Sequence, residues 1–458
     1  MSTSTGVTAA TATATAAELA ARAADEVIAD LAARHRAVVV DSPPGAGKST
    51  LVVRAARALA AAGGPVMVVA QTNEQVDDLT DRLARGDPAL PVGRLSAQGY
   101  VPSARVARHL AVTVSASVAE LADCAVVVAT AAKWATLRAG TWSCAWAVVD
   151  EAYQMRSDML LRIAGHFERA LFVGDPGQLD PFSTIDIDRW ASLTWDPMQS
   201  AVEVLLRHNP ETPVRRLPVS WRLSATAVPL VAEAFYPFQG FLAGTAPGER
   251  RLEFATRALG SRPRVTGALD EALGLAADSG WVLYELPPRH TVRTDTEAVW
   301  ACASLAERLV QRGCMGYSEQ TPAGAPVGAG RIAIGTAHRD QSKAIRAVLS
   351  GLGPALAGVT VDTANRLQGR EFDVVIVLHP LSGRHDASAF HLEAGRLCVL
   401  TSRHRHACIV VARAGIPELL DAYPSTEPVH LNVPAKFPDG WEANQAVMAH
   451  LSEYKVRA

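Results

Sequence analysis

Five short apolar runs, Ala37–Asp41, Pro65–Ala70, Ala125–Ala129, Ala145–Asp150 and Ala170–Gly174, punctuate the first part of the chain, separated by residues with helical apolar spacing. A run that is apolar at almost every position, and too short for a buried helix, is what a strand covered on both faces requires. Such strands alternating with helices imply a parallel sheet with helices packed on either side. Residues 17–205 are therefore expected to form a doubly wound α/β domain, with a small helical insertion at about 86–120. A second alternation, with strands expected at Arg331–Gly335, Gly358–Asp362, Val374–Leu378, Cys398–Leu400 and Cys408–Ala412, predicts a second α/β domain within 206–458. Two cores suit a chain of 458 residues, since single cores stop growing at about 250–300. The stretch Leu205–Pro218 reads as the hinge, and Ala246–Glu249 and Gly316–Gly330 as surface loops, the latter long enough to be mobile.

The formal charge is −2 and the pI about 6.7, so any contact with nucleic acid must come from local basic and backbone groups. Six cysteines lie far apart, mostly in apolar runs, and read as reduced core residues of a cytoplasmic protein. Residues 1–16 are rich in Ser, Thr and Ala, without the basic and apolar segments of a signal peptide, and are expected to be a disordered tail. No apolar run reaches the 18 residues of a membrane span, so no membrane is expected.

The segment Asp41-Ser42-Pro43-Pro44-Gly45-Ala46-Gly47-Lys48-Ser49-Thr50 follows the first apolar run. Glycines between a strand and a helix let backbone N–H groups converge on phosphates; a lysine there reaches the β- and γ-oxygens, a hydroxyl ligates Mg²⁺, and the helix N-terminus adds its dipole. Pro44, Gly45, Ala46, Gly47, Lys48, Ser49 and Thr50 are the candidate ATP-binding residues. The strict phosphate-loop pattern opens with glycine where this chain has Ser42, and a bare Gly-Lys-Ser also suits an ordinary capping turn. Two acidic strand ends follow: Val149-Asp150-Glu151-Ala152-Tyr153-Gln154, and Gly174-Asp175-Pro176-Gly177-Gln178. Asp150 can hold Mg²⁺ with Ser49, Glu151 can polarise the attacking water, and Gln178 can place an amide near the γ-phosphate. Acidic residues also favour helix N-termini for dipole reasons alone. Beside a phosphate loop about a hundred residues earlier, they fit one carboxyl edge of a parallel sheet.

In order, Pro-Pro-Gly-x-Gly-Lys-Ser, Gln71-Thr72-Asn73, Asp-Glu-Ala-x-Gln and Gly-Asp-x-x-Gln-Leu-x-Pro resemble the motifs of superfamily 1 helicases. The likeness continues through Leu217-Pro218-Val219-Ser220-Trp221-Arg222, Ala234-Phe235-Tyr236, Gly335-Thr336-Ala337-His338-Arg339-Asp340-Gln341, Thr363–Asp373 and Arg396–Arg403. It covers about Val38 to Val411. It implies two tandem RecA-like domains with an ATP cleft between them, Lys48, Ser49, Asp150, Glu151 and Gln178 on one wall and Arg222 and Arg403 entering from the other. Trp221 would stack on adenine and Glu371 contact the ribose. Gln178-Leu179-x-Pro181 and Gln368-Gly369-Arg370-Glu371 are similar to the nonsense-decay-helicase-like, 5′-to-3′ branch. Asn365 stands where the family has Asp and His338 where it has Tyr; no Gln precedes Gln71, so the upstream adenine-reading Gln is missing.

The resemblance also places single-stranded nucleic acid across both domains, with Thr72, Asn73, Thr130, Thr336, Arg339 and Thr363 as candidate contacts. Phosphate binding by hydroxyls, amides and backbone N–H groups suits a nearly neutral protein, although each of these residues alone is an ordinary cap or turn former. About forty residues precede the phosphate loop, too few for an accessory barrel, so a protein partner supplying a wedge or nuclease is expected. The reading from another class is a nucleotide-switched module that controls a partner protein without processive movement.

Overall fold

The computed structural model describes residues 5–33, 35–179, 181, 199–256, 263–291, 294–424 and 439–458. The chain divides into two compact units: Glu18–Pro176 with Asp180–Pro218, and Val219–Ala458 with Met1–Ala17 and Gly177–Leu179.

The first unit is built on eight strands: β1 (Ala37–Asp41), β2 (Val66–Ala70), β3 (Val92–Leu95), β4 (Val112–Ser115), β5 (Val126–Thr130), β6 (Cys144–Asp150), β7 (Phe167–Gly174) and β8 (Val214–Arg216). They form one parallel sheet in the order β4-β3-β5-β2-β6-β7-β1-β8. Both faces are buried, as the unbroken apolar runs require. Val38, Val40, Val68, Val128, Val148 and Leu171 enter one core, and the intervening Val39, Met67, Val127, Val149 and Phe172 enter the other. Because the strands are parallel and in register, with Asp41 opposite Gly174 and Asp150 opposite Val173, the segments that follow them leave from one edge.

Three expectations change in the part of the chain up to residue 218. The stretch 86–120 is not a helical insertion: it holds β3 and β4 at the edge of the sheet, with only the short helix Ala104–Ala107 between them. Arg94 interrupts the apolar signal of β3, yet its guanidinium is buried against Asp77 (3.1 Å) and stacks on Tyr100 (3.8 Å). The stretch 205–218 carries β8, which extends the sheet beside β1, so the first unit runs past residue 205 to Pro218. β8 is an exposed edge anchored by Arg215 to Asp30 (2.6 Å), a long-range pair without local signature. The N-terminal stretch is helical from Thr5, within a helix Thr5–Ala32, not a tail to residue 16; alanine, its commonest residue, is the strongest helix former.

The second unit contains β9 (Val219–Ser220), β10 (Leu242–Ala243), β11 (Arg251–Phe254), β12 (Trp281–Leu286), β13 (Cys314–Ser318), β14 (Thr321–Pro326), β15 (Ile332–Thr336), β16 (Thr360–Thr363), β17 (Phe372–Leu378), β18 (His404–Arg413) and β19 (Lys455–Arg457). A six-stranded parallel sheet runs β16-β15-β17-β18-β12-β19, again with an apolar core on each face. Cys398–Leu400 is not a strand but the buried middle of helix Ala394–Thr401; a three-residue apolar run does not reveal its period. Much of Gly316–Gly330 is not a loop: β13 and β14 form a hairpin there, and β11 pairs antiparallel with β13. The six cysteines are all buried. Among the described residues no helix is long and apolar enough to cross a membrane.

Candidate nucleotide site

The phosphate-loop segment joins β1 to helix Lys48–Ala61. Gly45 (φ 74°) and Gly47 (φ 89°) adopt left-handed backbone, and a Cβ on Gly47 would meet nothing within 4 Å, so glycine is needed there for conformation and not for space. Ser42, in place of the pattern's first glycine, has no such need. Its φ is negative, its side chain is buried, and its N–H donates to Gly174 O (2.9 Å). The helix has no side-chain cap, which leaves first-turn N–H groups, including those of Ser49 and Thr50, available to a ligand.

Lys48 Nζ lies 3.6 Å from Asp175 Oδ2 and 3.8 Å from Glu151 Oε1, all three side chains largely buried. Asp150 is buried; burial, reinforced by the Glu151 charge and opposed by Lys48, raises its carboxyl to about 7. Among the described residues Glu151 is the only non-glycine with positive φ (50°). Its N–H donates to Asp150 Oδ1 (3.0 Å), and Gln154 Nε2 donates to Glu151 Oε2 (3.0 Å). Strain of this kind persists where surrounding packing enforces it. Here the packing is visible: Tyr153 OH donates to Asp41 Oδ1 (2.6 Å), and a Cβ on Gly174 would sit 2.8 Å from the Tyr153 ring. Asp175, Tyr153 and Asp41 were not among the predicted site residues; the Gly-Asp-x-x-Gln motif was the available signal for Asp175. The Ser49 hydroxyl in the first turn of the helix and the buried Asp150 carboxylate are oxygen donors of the kind Mg²⁺ takes when phosphates supply its remaining ligands.

Gln178 was expected beside Lys48, yet Gly177–Leu179 belongs to the second unit. Leu179 enters that unit's core, a Cβ on Gly177 would collide with the Tyr236 ring (2.3 Å), and a Cβ on Gly395 would lie 2.9 Å from the Gln178 carbonyl. Nearby in sequence to β9, Trp221 lies against Gly244, where any Cβ would come within 2.4 Å of the indole. Trp221 is 37% exposed and is not a fully buried core tryptophan. Arg222 Nε donates to Glu371 Oε2 (3.3 Å), and Arg405 Nη1 to Glu371 Oε1 (3.3 Å). Although burial acts to raise the Glu371 carboxyl, these two guanidinium groups hold it below the usual range. Arg403 is buried with Nη2 donating to Ser402 Oγ (2.9 Å), and among the described residues it has no acidic partner.

The candidate strand contacts are mostly engaged within the fold. Thr72 caps helix Asn73–Gly86 in a reciprocal box with Gln75, and Asn73 Oδ1 accepts from Arg94 (3.0 Å). Thr130 accepts from Lys133 N (3.1 Å), Thr336 is buried against Ser342 Oγ (2.7 Å), and Thr363 starts helix Ala364–Leu367 with little exposure. Arg339 is exposed at the start of helix Arg339–Leu352. The neighbouring His338 pairs with His391 (3.0 Å) and stacks on Phe390, so the residue that departs from the family's tyrosine keeps an aromatic role.

Two family models, each described as an AAA domain, match residues 18–187 and 286–415. No curated protein matches the chain in sequence. Similar solved structures include the Arterivirus nonstructural protein 10 helicase (14% identity, TM-score 0.43, covering 82% of this chain and 59% of that one). The PRRSV helicase is similar at 14% identity and TM-score 0.42, covering 85% and 54%. A complex of the Arterivirus protein with DNA is similar at 15% and 0.41, covering 82% and 60%. The chain thus spans less than two thirds of the length of these proteins.

Proposed function

We propose that the chain is a superfamily 1 helicase-type ATPase, a translocase that steps 5′-to-3′ along single-stranded nucleic acid, a reading supported by the two AAA-domain matches. The observation that carries this reading is the division of charge between the units. Lys48 is held between Glu151 and Asp175 at the edge of one sheet, while the other unit presents Arg403, buried without an acidic partner among the described residues. Lys48 and the loop N–H groups bind the β- and γ-phosphates, and Glu151 takes the proton of the attacking water. Ser49 and Asp150 would hold Mg²⁺, which would supply neutralisation of the phosphate charge. Gln178 orients at the γ-phosphate, Arg222 and Arg403 stabilise the charge that leaves with it, Trp221 stacks on adenine, and Glu371 reaches the ribose.

The strand is held through its phosphates by Arg339 and by the backbone around Thr72, Asn73, Thr130, Thr336 and Thr363, whose side chains shape the turns. Polarity follows the likeness of the Gln178 and Gln368–Glu371 segments to the 5′-to-3′ branch. In the cytoplasm, a protein partner supplies the wedge or nuclease for long duplexes. The test is ATP turnover of the purified chain with single-stranded DNA, single-stranded RNA and neither, followed by displacement of short strands from substrates with 5′ or 3′ tails. Stimulation by one strand type supports the motor; turnover indifferent to both points instead to a switch that controls a partner protein.

A further inference from the structure

The hairpin of β13 and β14, read from sequence as a loop, carries Glu319 at its turn. The Glu319 carboxylate accepts from Arg250 Nε (3.0 Å) and Nη2 (2.7 Å), and from Arg405 Nη2 (3.2 Å). The Arg250 side chain is 1% exposed and turns its remaining donors on the backbone of the arginine motif, reaching Trp221 O (2.6 Å) and Arg222 O. Arg405, two residues beyond Arg403 on the same strand as His404, continues to Glu371, which holds Arg222. The groups close a ring: Glu319, Arg250, the Trp221–Arg222 backbone, Arg222, Glu371, Arg405 and back to Glu319. A second tie fixes the hairpin, from His406 Nε2 to Tyr317 O (2.9 Å).

Each arginine in this ring has fixed fork geometry, so a carboxylate that serves two forks sets their relative orientation. Without Glu319, Arg250 keeps its carbonyl contacts but loses its only acidic partner among the described residues, and Arg405 is left to Glu371 alone. Glu371 would then be drawn between Arg405 and Arg222 with nothing to hold their spacing. Burial acts to raise the Glu319 carboxyl, but Arg250 and Arg405 hold it below the usual range, so it stays charged at neutral pH.

We propose that Glu319 is a positioning residue for Arg222, which it reaches through Arg250 on one side and through Arg405 and Glu371 on the other, so that ATP turnover depends on this hairpin. The proposal rests on the reading of Arg222 and Arg403 as the groups that meet the γ-phosphate.

The test uses the full chain and strand-stimulated ATPase kinetics. Glu319→Gln is expected to lower kcat by about 10- to 100-fold, the range for lost supporting contacts around a reactive group, with KM for ATP little changed. In an Arg222→Ala background the same substitution should add less than about twofold, because residues acting as a unit are not additive. A folded Glu319→Gln protein with wild-type kcat, while Arg222→Ala and Arg403→Ala are inactive, overturns the positioning role and leaves the arginine reading intact. Wild-type turnover in both arginine variants sinks that reading instead. A loss that persists undiminished in the Arg222→Ala background also overturns the proposal. If Glu319→Gln fails to fold, Glu319→Asp keeps the charge and withdraws it by one methylene; an unaltered kcat then overturns the proposal, and a loss cancelled by Arg222→Ala supports it.

Discussion

The two units treat charge in opposite ways. At the edge of the first sheet acid is in excess: Lys48 faces both Glu151 and Asp175, with Asp150 buried beside them. In the second unit arginine is in excess: Arg222, Arg250 and Arg405 share Glu319 and Glu371, and Arg403 has no acidic partner among the described residues. Burying a cation without an anion is costly, and such a group persists where its charge has a use. An acid-rich site suits a metal and an activated water; an arginine-rich one suits charge developing on a transferred phosphoryl group. On the proposed reading, the asymmetry assigns metal and water chemistry to the first unit and stabilisation of the transferred phosphoryl group to the second.

The sharpest way to break this comparison is Arg403→Ala. If the unpaired guanidinium serves the γ-phosphate, stimulated turnover should fall on the order of 10³-fold, with single-strand binding largely retained in a filter or anisotropy assay. Next comes the acid side. Glu151→Gln should bind ATP yet hydrolyse it at least about 10²-fold more slowly, whereas Lys48→Ala should weaken nucleotide binding itself. Wild-type turnover in Glu151→Gln would move the base elsewhere.

Trp221→Ala tests the arginine side at its adenine end. Losing a stack is worth roughly 1–3 kcal/mol, so KM for ATP should rise about tenfold while the protein stays folded. Gly244→Ala should do the same by displacing the indole that lies on that glycine. An insoluble Trp221→Ala protein would instead make the indole a packing residue.

The units should also differ in acid. In the second unit, burial lowers His379 and His404 to about 3 and, with Arg384, lowers His391 to about 4. Their folded values lie below the unfolded one, so their contribution is fully present above about pH 6.5 and is lost as pH falls toward 4. Each can withdraw up to about 1.4 kcal/mol per pH unit over that window. Thermal melts from pH 7.5 to 5 should therefore weaken the second unit first, and His404→Phe should flatten the slope; a second unit no more acid-labile than the first would contradict this. The smallest effect is at β8: Arg215→Met breaks a partly exposed pair with Asp30 and should cost about 1 kcal/mol or less, a shift of about 2–4 °C in the first unit's melting temperature.

Residues alone determined the two parallel sheets, because strands buried on both faces must be apolar over most of their length, and β2 and the central stretches of β1, β5, β6, β7 and β17 are. They also determined the phosphate loop and the Asp150-Glu151 strand end, whose chemistry needs particular residue types at adjacent positions. Tertiary structure decided what depends on partners distant in sequence. β3 contains an arginine neutralised by Asp77, β8 is held by Asp30, and Cys398–Leu400 is helical because the helix around it is buried on every side. Gln178 travels with the second unit because Leu179 finds its core there, and the ring through Glu319 joins residues as far apart in sequence as Trp221 and Arg405. Local periodicity reports how a residue meets solvent; it carries no record of which distant charge or side chain answers it, and that is settled only when the chain has packed.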